Sequence, residues 1–184
     1  VRKDYPDWAV KGGFGKDRRV LTSIYLNPAE EEKTNFRLMR RWQEIEKNEV
    51  RFKEYFMDGA KLVVMGFGSS GRIALSAVRA ARAEGLPVGL LRPISLSPFP
   101  YQAVRQAAEQ ADNILVVEMN SGMMLEDVLK EAKGRTNVEF YGRMGGVMPF
   151  PDEILSEIKR IMAEKTHPDA HPRDQWLKRM EGIA

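Results

Sequence analysis

Gly66-Phe67-Gly68-Ser69-Ser70-Gly71 is the stretch that decides how this 184-residue chain is interpreted. An apolar run at 61–65 precedes it, and a helix-like run at 72–83 follows it. The stretch therefore has both the spelling and the position of the dinucleotide fingerprint, G-x-G-x-x-G between a strand and a helix. Two interpretations follow. The glycines either hold a nicotinamide or flavin cofactor, or they only form the turn between the two elements.

From residue 61 onward, apolar strand-like runs alternate with amphipathic helix-like runs, and the connections between them are short. The predicted strands are 62–66, 87–91, 113–119 and 138–141, and the predicted helices are 72–82, 100–111, 123–132 and 151–164. Strands that are apolar on both faces and alternate with helices are typical of a parallel sheet covered by helices on both sides. The sequence therefore predicts an α/β fold.

A long helix is predicted upstream of this domain. Asn27 suits its N-cap, Pro28 its first position, and the glutamates at 30–32 its first turn. An apolar stripe predicts that the helix continues to about Phe56. The stripe could pack in the core or bind a partner, which would make the chain an assembly module. The sequence thus divides into a connector and long helix at 1–57, an α/β domain at 58–165 and a polar tail at 166–184.

A dinucleotide site needs an acidic residue at the end of the second strand, about 20 residues after the glycines, to bind the ribose hydroxyls. Arg92, followed at once by Pro93, occupies that position. The arginine could meet the 2′-phosphate of NADP. A free-standing NAD(P)-binding, Rossmann-like domain built on 66–71 therefore remains the alternative function.

The structural interpretation of the glycine stretch assigns each small residue a role. Gly66 and Gly68 permit a tight turn, Ser69 or Ser70 caps the next helix, and Gly71 lets that helix pack closely on the sheet. The amino terminus of the helix still offers free N–H groups, so it could hold an anion that is not a dinucleotide.

Three further polar residues follow the later strands: Glu118 and Asn120 after the third, and Arg143 after the fourth. Because the carboxyl ends of parallel strands meet at one edge, these residues and Arg92 should lie together where open α/β sheets place ligands. They could form an anion site, a subunit interface or a buried ion-pair cluster that ties the loops together. The sequence contains no catalytic triad and no metal-spaced ligand set, so we predict no catalytic or metal-binding residue here.

The composition argues against several classes of protein. Lysines and arginines are scattered and the net charge is only +3, so nucleic-acid binding is not predicted. No apolar run approaches the roughly 18 residues of a membrane span. The absence of cysteine suits a reducing cytoplasm and leaves no ligand for an iron–sulfur cluster. The chain starts at Val1 without a targeting pattern, which predicts a piece of a longer polypeptide.

Four segments together resemble one family: Asp4–Val10, Leu91–Pro100, Val117–Met123 and Phe140–Gly146. They are similar to the carboxyl-terminal part of the alpha chain of 2-oxoacid:ferredoxin oxidoreductases. The 2-oxoisovalerate type fits best and the 2-oxoglutarate type next. Met124 departs from the pattern, because the family often has a glutamine nearby.

The resemblance implies a fold like the carboxyl-terminal domain of transketolase, which has three α/β/α layers and a mostly parallel five-stranded sheet. It also implies thiamine diphosphate and Mg²⁺ bound between other domains, and iron–sulfur clusters on partner chains. The implied partners are the amino-terminal part of the same alpha chain, beta and gamma or delta subunits, ferredoxin and coenzyme A. No thiamine-binding position maps onto this chain, so we expect a scaffolding domain that is inactive alone. The 2-oxoacid would be selected elsewhere.

Overall fold

The computed structural model describes residues 23–164 and 170–181. The chain divides into two units, Val1–Gln43 and Glu44–Ala184, and the division falls within the first helix. The helices are α1 (Pro28–Asn48), α2 (Gly68–Ala83), α3 (Tyr101–Gln110), α4 (Met123–Ala132), α5 (Pro151–Ala163) and α6 (Pro172–Met180). The strands are β1 (Phe52–Tyr55), β2 (Leu62–Met65), β3 (Val88–Pro93), β4 (Asn113–Glu118) and β5 (Asn137–Gly142).

The five strands form one sheet in the order β1-β3-β2-β4-β5. Strands β2 to β5 pair in parallel, whereas β1 pairs antiparallel with β3. Right-handed crossovers place α2 on one face of the sheet and α3 and α4 on the other. In agreement, α2 contacts α5, and α3 contacts α4. The predicted α/β fold with a mostly parallel five-stranded sheet between two helical layers is confirmed.

The two central strands form the core because both of their faces are covered. Every residue of β2 and every residue of β4 is buried. Small residues on the inner side of α2, such as Ala74 and Ala77, let that helix lie close to the sheet. The continuous apolar runs that predicted these strands thus reflect burial on both faces.

In the first unit, α1 starts as predicted: the Asn27 side chain accepts a hydrogen bond from the Ala29 N–H at 2.9 Å. No residue of α1 is buried among the described residues, and Phe36, Leu38 and Met39 are exposed. The choice between core packing and a partner-binding face for this stripe stays a prediction.

The prediction that this helix continues to about Phe56 was wrong, because α1 ends at Asn48 and Phe52–Tyr55 form β1. Backbone pairing with β3 outweighs the helical spacing of the apolar residues. Just before β1, the Arg51 carbonyl accepts from the Ile94 N–H at 2.9 Å, and the Arg51 N–H donates to Ser95 Oγ at 2.8 Å. The division at 57 and 58 stays a prediction, although the first strand lies on its amino-terminal side.

Part of the predicted polar tail forms α6, a helix that the sequence did not predict. Trp176 is buried and packs edge-to-face on Phe140 of β5, with 5.1 Å between the ring centroids. Arg179 donates to the Phe140 carbonyl at 2.9 Å, so α6 covers this edge strand. Across 23–164 and 170–181, no helix has the length and apolarity needed to cross a membrane. The Asp4–Val10 segment lies outside the described residues.

Candidate functional site

The predicted site residues lie at one edge of the sheet, which we call the carboxyl edge. It consists of the segments that follow β2 to β5, whose parallel pairing brings their carboxyl ends together. The glycine stretch follows β2, Arg92 lies near the end of β3, Glu118 ends β4, and Arg143 follows β5. The topology therefore assembles these residues as the sequence predicted. Their side-chain contacts decide what each of them does.

In the glycine stretch, α2 begins at Gly68 and has Phe67 as its N-cap, without a side-chain cap. The predicted serine cap is therefore wrong, because the helix begins early enough to place Ser69 and Ser70 inside its first turn. Gly68 has a φ of 55°, in the left-handed region that favours glycine. Ser70 is buried.

Gly71 permits the close approach that the sequence predicted. A Cβ added there would lie 2.4 Å from the Gly66 carbonyl oxygen and 3.0 Å from Arg92 Cγ. The first turn of α2 therefore rests directly on the backbone of the preceding turn. Gly68 and Gly71 thus have structural roles that require no nucleotide.

Arg92 lies against this turn, and Pro93 ends β3. The Arg92 Nε is buried and has no hydrogen-bond partner in the described part of the chain. A dinucleotide site would place a carboxylate here for the ribose. The position holds an arginine whose side chain packs on Gly71, so this end of β3 lacks that carboxylate.

Glu118 is fully buried, and its carboxylate caps the amino terminus of α4. It accepts hydrogen bonds from the Met124 N–H, the Leu125 N–H and the Asn120 side-chain amide, each at 3.0 Å. Buried carboxylates are tolerated when such bonds replace water, and the helix dipole favours the negative charge. Glu118 is itself the anion at this helix terminus.

Asn120 completes the same loop. Its Oδ1 accepts from the Gly122 N–H at 2.7 Å and from the Met123 N–H at 2.9 Å. With Glu118, it gives partners to N–H groups that the start of a helix would otherwise leave unpaired. Met124, the departure from the family pattern, is buried and contributes its backbone to this cap.

Arg143 pairs with Glu153 of α5, and its guanidinium lies 5.7 Å from the centre of the Tyr141 ring. Burial raises the pKa of Tyr141 to about 12, and its bond with Glu153 acts in the same direction. Burial alone would raise the pKa of Glu153. The Phe150 N–H, Arg143 and Tyr141 outweigh that effect, so the pKa lies below its usual value. Glu153 thus holds both ends of the loop at 143–150, because it binds Arg143 at the start and the Phe150 N–H at the end.

Arg92, Glu118 and Arg143 do not pair with one another among the described residues. Arg143 bonds to Glu153, and Glu118 bonds to Asn120 and to the backbone of α4. The ion-pair cluster considered from the sequence is therefore not formed by these three residues.

Two contributors to the edge were missed by sequence reasoning. Glu153 had a local signal, because it lies at the third position of a helix that begins with Pro151, where a glutamate can reach back to the N-cap backbone. Arg173 of α6 had none. It donates to the Ser121 carbonyl at 2.6 Å and pairs with Glu126, about fifty positions away along the chain.

Replacing Glu153 with glutamine should change how stability depends on pH. Because the folded state lowers this pKa, the carboxylate stabilises the fold above its unfolded value, and the contribution is lost as pH falls through the folded value. The difference in unfolding free energy between wild type and Glu153→Gln should be constant near neutral pH and shrink below about pH 4.5. Urea denaturation across the pH range measures it.

Asp152→Asn is the matched control, since Asp152 is an exposed carboxylate in the same helical turn. It removes a charge from this turn without breaking the bonds of Glu153 to Arg143 and to the Phe150 N–H. An equal loss of stability for Glu153→Gln at acidic and neutral pH would contradict the role given to Glu153.

Comparison with known proteins gives one consistent picture. A family model described as pyruvate:ferredoxin oxidoreductase core domain II matches residues 60–154, just over half of the chain. The chain is 44% identical over 157 residues to the ketoisovalerate oxidoreductase subunit VorB of Methanothermobacter marburgensis. The aligned region covers 85% of this chain and 44% of that protein. It is 40% identical over 101 residues to the 2-oxoglutarate synthase subunit KorA of the same organism, covering 55% and 27%.

The chain thus spans less than half the length of these curated relatives. Among solved structures, the fold resembles the 2-oxoglutarate:ferredoxin oxidoreductase from Magnetococcus marinus, with a TM-score of 0.61 at 20% identity over 74% of this chain and 24% of that one. It also resembles a split-gene transketolase described as an inactive beta4 tetramer, with a TM-score of 0.54 at 16% identity over 63% and 42%. The predicted likeness to oxidoreductase and transketolase domains is confirmed for the fold.

Proposed function

Because this chain belongs to the pyruvate:ferredoxin oxidoreductase core domain II family, we propose that it is one domain of a 2-oxoacid:ferredoxin oxidoreductase subunit. The glycine stretch lies inside the matched region and has a structural explanation. The alternative of a free-standing NAD(P)-binding domain therefore has no support.

In the proposed reaction, a 2-oxoacid, coenzyme A and two oxidised ferredoxins give an acyl-CoA, CO₂, two reduced ferredoxins and a proton. We favour 2-oxoisovalerate as the substrate, with 2-oxoglutarate as the second candidate. The observation that carries this choice is the 44% identity to VorB across 85% of the chain, against a shorter match to KorA. The proposal includes beta and gamma or delta subunits as partners. It also includes a cytoplasmic location, which suits a chain without cysteine.

The described residues offer no ligand set for the metal-containing cofactors of such an enzyme. Mg²⁺ takes oxygen ligands, and the described residues contain no group of three or more histidines, aspartates or glutamates that could hold a metal ion. Iron–sulfur clusters need cysteine thiolates, and the sequence has none. We therefore propose that thiamine diphosphate, Mg²⁺ and the clusters are held by other parts of the complex.

The proposed role of this domain is structural. Three polar side chains of the carboxyl edge form bonds within the domain: Glu118 caps α4, Asn120 holds the following loop, and Arg143 pairs with Glu153. Such bonds stabilise loops of fixed shape, as expected of a scaffold that positions neighbouring domains.

Chimeric subunits test this proposal. We would replace the segment of VorB that matches this chain with the chain itself, do the same in KorA, and assemble each with its companion subunits. The VorB chimera should reduce a viologen dye with 2-oxoisovalerate and coenzyme A, and the KorA chimera should keep its preference for 2-oxoglutarate. Each preference, as a ratio of kcat/KM values, should stay within about threefold of the parent.

The 184-residue chain alone should reduce no dye with either 2-oxoacid. Turnover by the isolated chain would contradict a purely structural role. A substrate preference that moved with the graft would show that this domain selects the 2-oxoacid. Chimeras that assemble but stay inactive would tell against the proposed function.

A further inference from the structure

Two neighbouring loops of the carboxyl edge expose apolar side chains that nothing described covers. We call this set the methionine patch; it comprises Met119, Met123, Met144, Val147, Met148 and Phe150. Met123 is 75% exposed and Phe150 is 61% exposed. The loops follow β4 and β5, which pair directly, and at their base the Arg143 N–H donates to the Glu118 carbonyl at 3.1 Å. The patch is therefore one feature of adjoining loops.

The loop at 144–150 has an unusual composition for its location. Its sequence, Met-Gly-Gly-Val-Met-Pro-Phe, contains no side chain that carries charge or donates a hydrogen bond. All of its residues except Pro149 are exposed. Single exposed apolar residues are ordinary, whereas a group of them on adjoining loops is typical of a surface that binds another protein, a membrane or a ligand.

The patch is held in place before anything binds it. Arg143 and Glu153 pair at the base of the loop, the Phe150 N–H donates to Glu153 at 2.8 Å, and the Val147 N–H donates to the Met144 carbonyl at 3.2 Å. On the neighbouring loop, Glu118 and Asn120 fix the start of α4. A preorganised surface loses little conformational entropy on binding.

Two arginines beside the patch are already paired with carboxylates. Arg143 pairs with Glu153, and Arg173 pairs with Glu126. A docking site for a transient, charged partner would present unpaired charge to steer the encounter, whereas permanent interfaces have apolar cores depleted of charge. The chemistry of the patch therefore fits a permanent interface.

We propose that the methionine patch is the surface on which the remainder of the full-length subunit docks, as a permanent interface between domains of one chain. The inference rests on the proposed function, since that subunit supplies the occupant. More than half of VorB lies outside its match to this chain, and both solved structures of this fold contain more chain than the shared domain. A large polypeptide is therefore available to cover the patch.

Methionine oxidation tests the proposal, because the patch contains its own reporters. The VorB chimera subunit, expressed without its companions, is treated with hydrogen peroxide beside the free 184-residue chain, and sulfoxide formation is followed by mass spectrometry. Met144 and Met148 should oxidise about tenfold more slowly in the chimera, since oxidation follows exposure. Met65 and Met124, buried in the domain itself, should be slow in both samples and report that the fold is intact.

A charge-insertion variant sharpens the test. Val147→Glu combined with Met148→Glu should restore rapid oxidation of Met144 in the chimera, because carboxylates cannot be buried unpaired in an apolar interface. The free chain carrying both changes should keep the wild-type unfolding midpoint. Phe56→Glu is the matched control: Phe56 is 46% exposed and follows the antiparallel strand β1, at the opposite edge of the sheet. It should leave Met144 protected.

Three results would overturn the inference. Met144 and Met148 could remain as reactive in the chimera as in the free chain. They could become protected only after the companion subunits are added, which would assign the patch to another subunit. Protection in the free chain that grows with its concentration would assign the patch to a second copy. None of these readouts requires activity, so the dye-reduction assay judges the proposed function separately.

Discussion

Replacing Gly71 with alanine should lower the free energy of unfolding by about 3 kcal/mol, the upper part of the usual range for overpacking. The new Cβ would lie 2.4 Å from the Gly66 carbonyl oxygen and 2.9 Å from the carbonyl carbon. Both are backbone atoms of the turn that joins β2 to α2, so no side-chain rotation relieves the overlap. The whole first turn of the helix would have to move away from the sheet. Guanidinium chloride denaturation followed by circular dichroism measures the loss.

Gly68→Ala is the matched control within the same six residues. An added Cβ there meets nothing within 4 Å, and the cost comes only from a φ of 55°. Holding an alanine in the left-handed region costs about 1–2 kcal/mol. Gly71→Ala should therefore be clearly the more destabilising of the two. If the variants lose equal stability, close packing of helix on strand is not what Gly71 provides.

Gly68 and Gly71 show why the G-x-G-x-x-G motif at 66–71 does not by itself indicate a dinucleotide site. A tight turn and a close approach of helix to strand are required at this point by packing alone, and glycine is the residue that permits both. The same two requirements apply in dinucleotide-binding folds, where the third glycine serves helix–strand packing. The glycine motif therefore indicates a tight strand–turn–helix connection, whether or not a nucleotide binds there. Arg92, at the end of β3, separates the two interpretations.

The layered core could be predicted from sequence because its signals are local. Runs such as Leu62–Met65 and Asn113–Glu118 are apolar throughout, and that pattern is typical of strands buried on both faces. β1 could not be found in this way. Its residues Phe52–Tyr55 are mostly exposed, and its pairing with Val88–Pro93 joins segments far apart in sequence. A four-residue edge strand leaves no periodic pattern that could compete with the preceding helix.

The position of the candidate site could be predicted, but its contacts could not. Parallel pairing alone brings Glu118 and Arg143 to one edge, so topology supplies that part of the answer. The partner of each side chain depends on distances of a few ångströms between loops. Arg143 pairs with Glu153, and Arg173 donates a hydrogen bond to the β4–α4 loop from a helix that the sequence did not predict. Such contacts arise only once the elements have packed.

Replacing Glu118 with alanine should lower the free energy of unfolding by about 3 kcal/mol. The substitution leaves three donors without their acceptor, namely the N–H groups of Met124 and Leu125 and the side-chain amide of Asn120. It also opens a cavity in a fully buried position. Amide hydrogen exchange at Met124 and Leu125 should accelerate together with the loss of stability.

Glu118→Gln is the control that keeps the shape of the side chain. Its carbonyl oxygen can still accept one backbone N–H, but its amide group faces another donor, so we expect an intermediate loss of about 1–2 kcal/mol. The series also separates a structural role of Glu118 from a ligand-binding role. A buried carboxylate that serves ligand binding usually lowers the free energy of unfolding, so its removal is neutral or stabilising. If Glu118→Ala unfolds at the wild-type denaturant concentration or above it, Glu118 serves a ligand and not the cap. A loss that follows the order alanine, glutamine, wild type assigns it to the scaffold that holds the methionine patch.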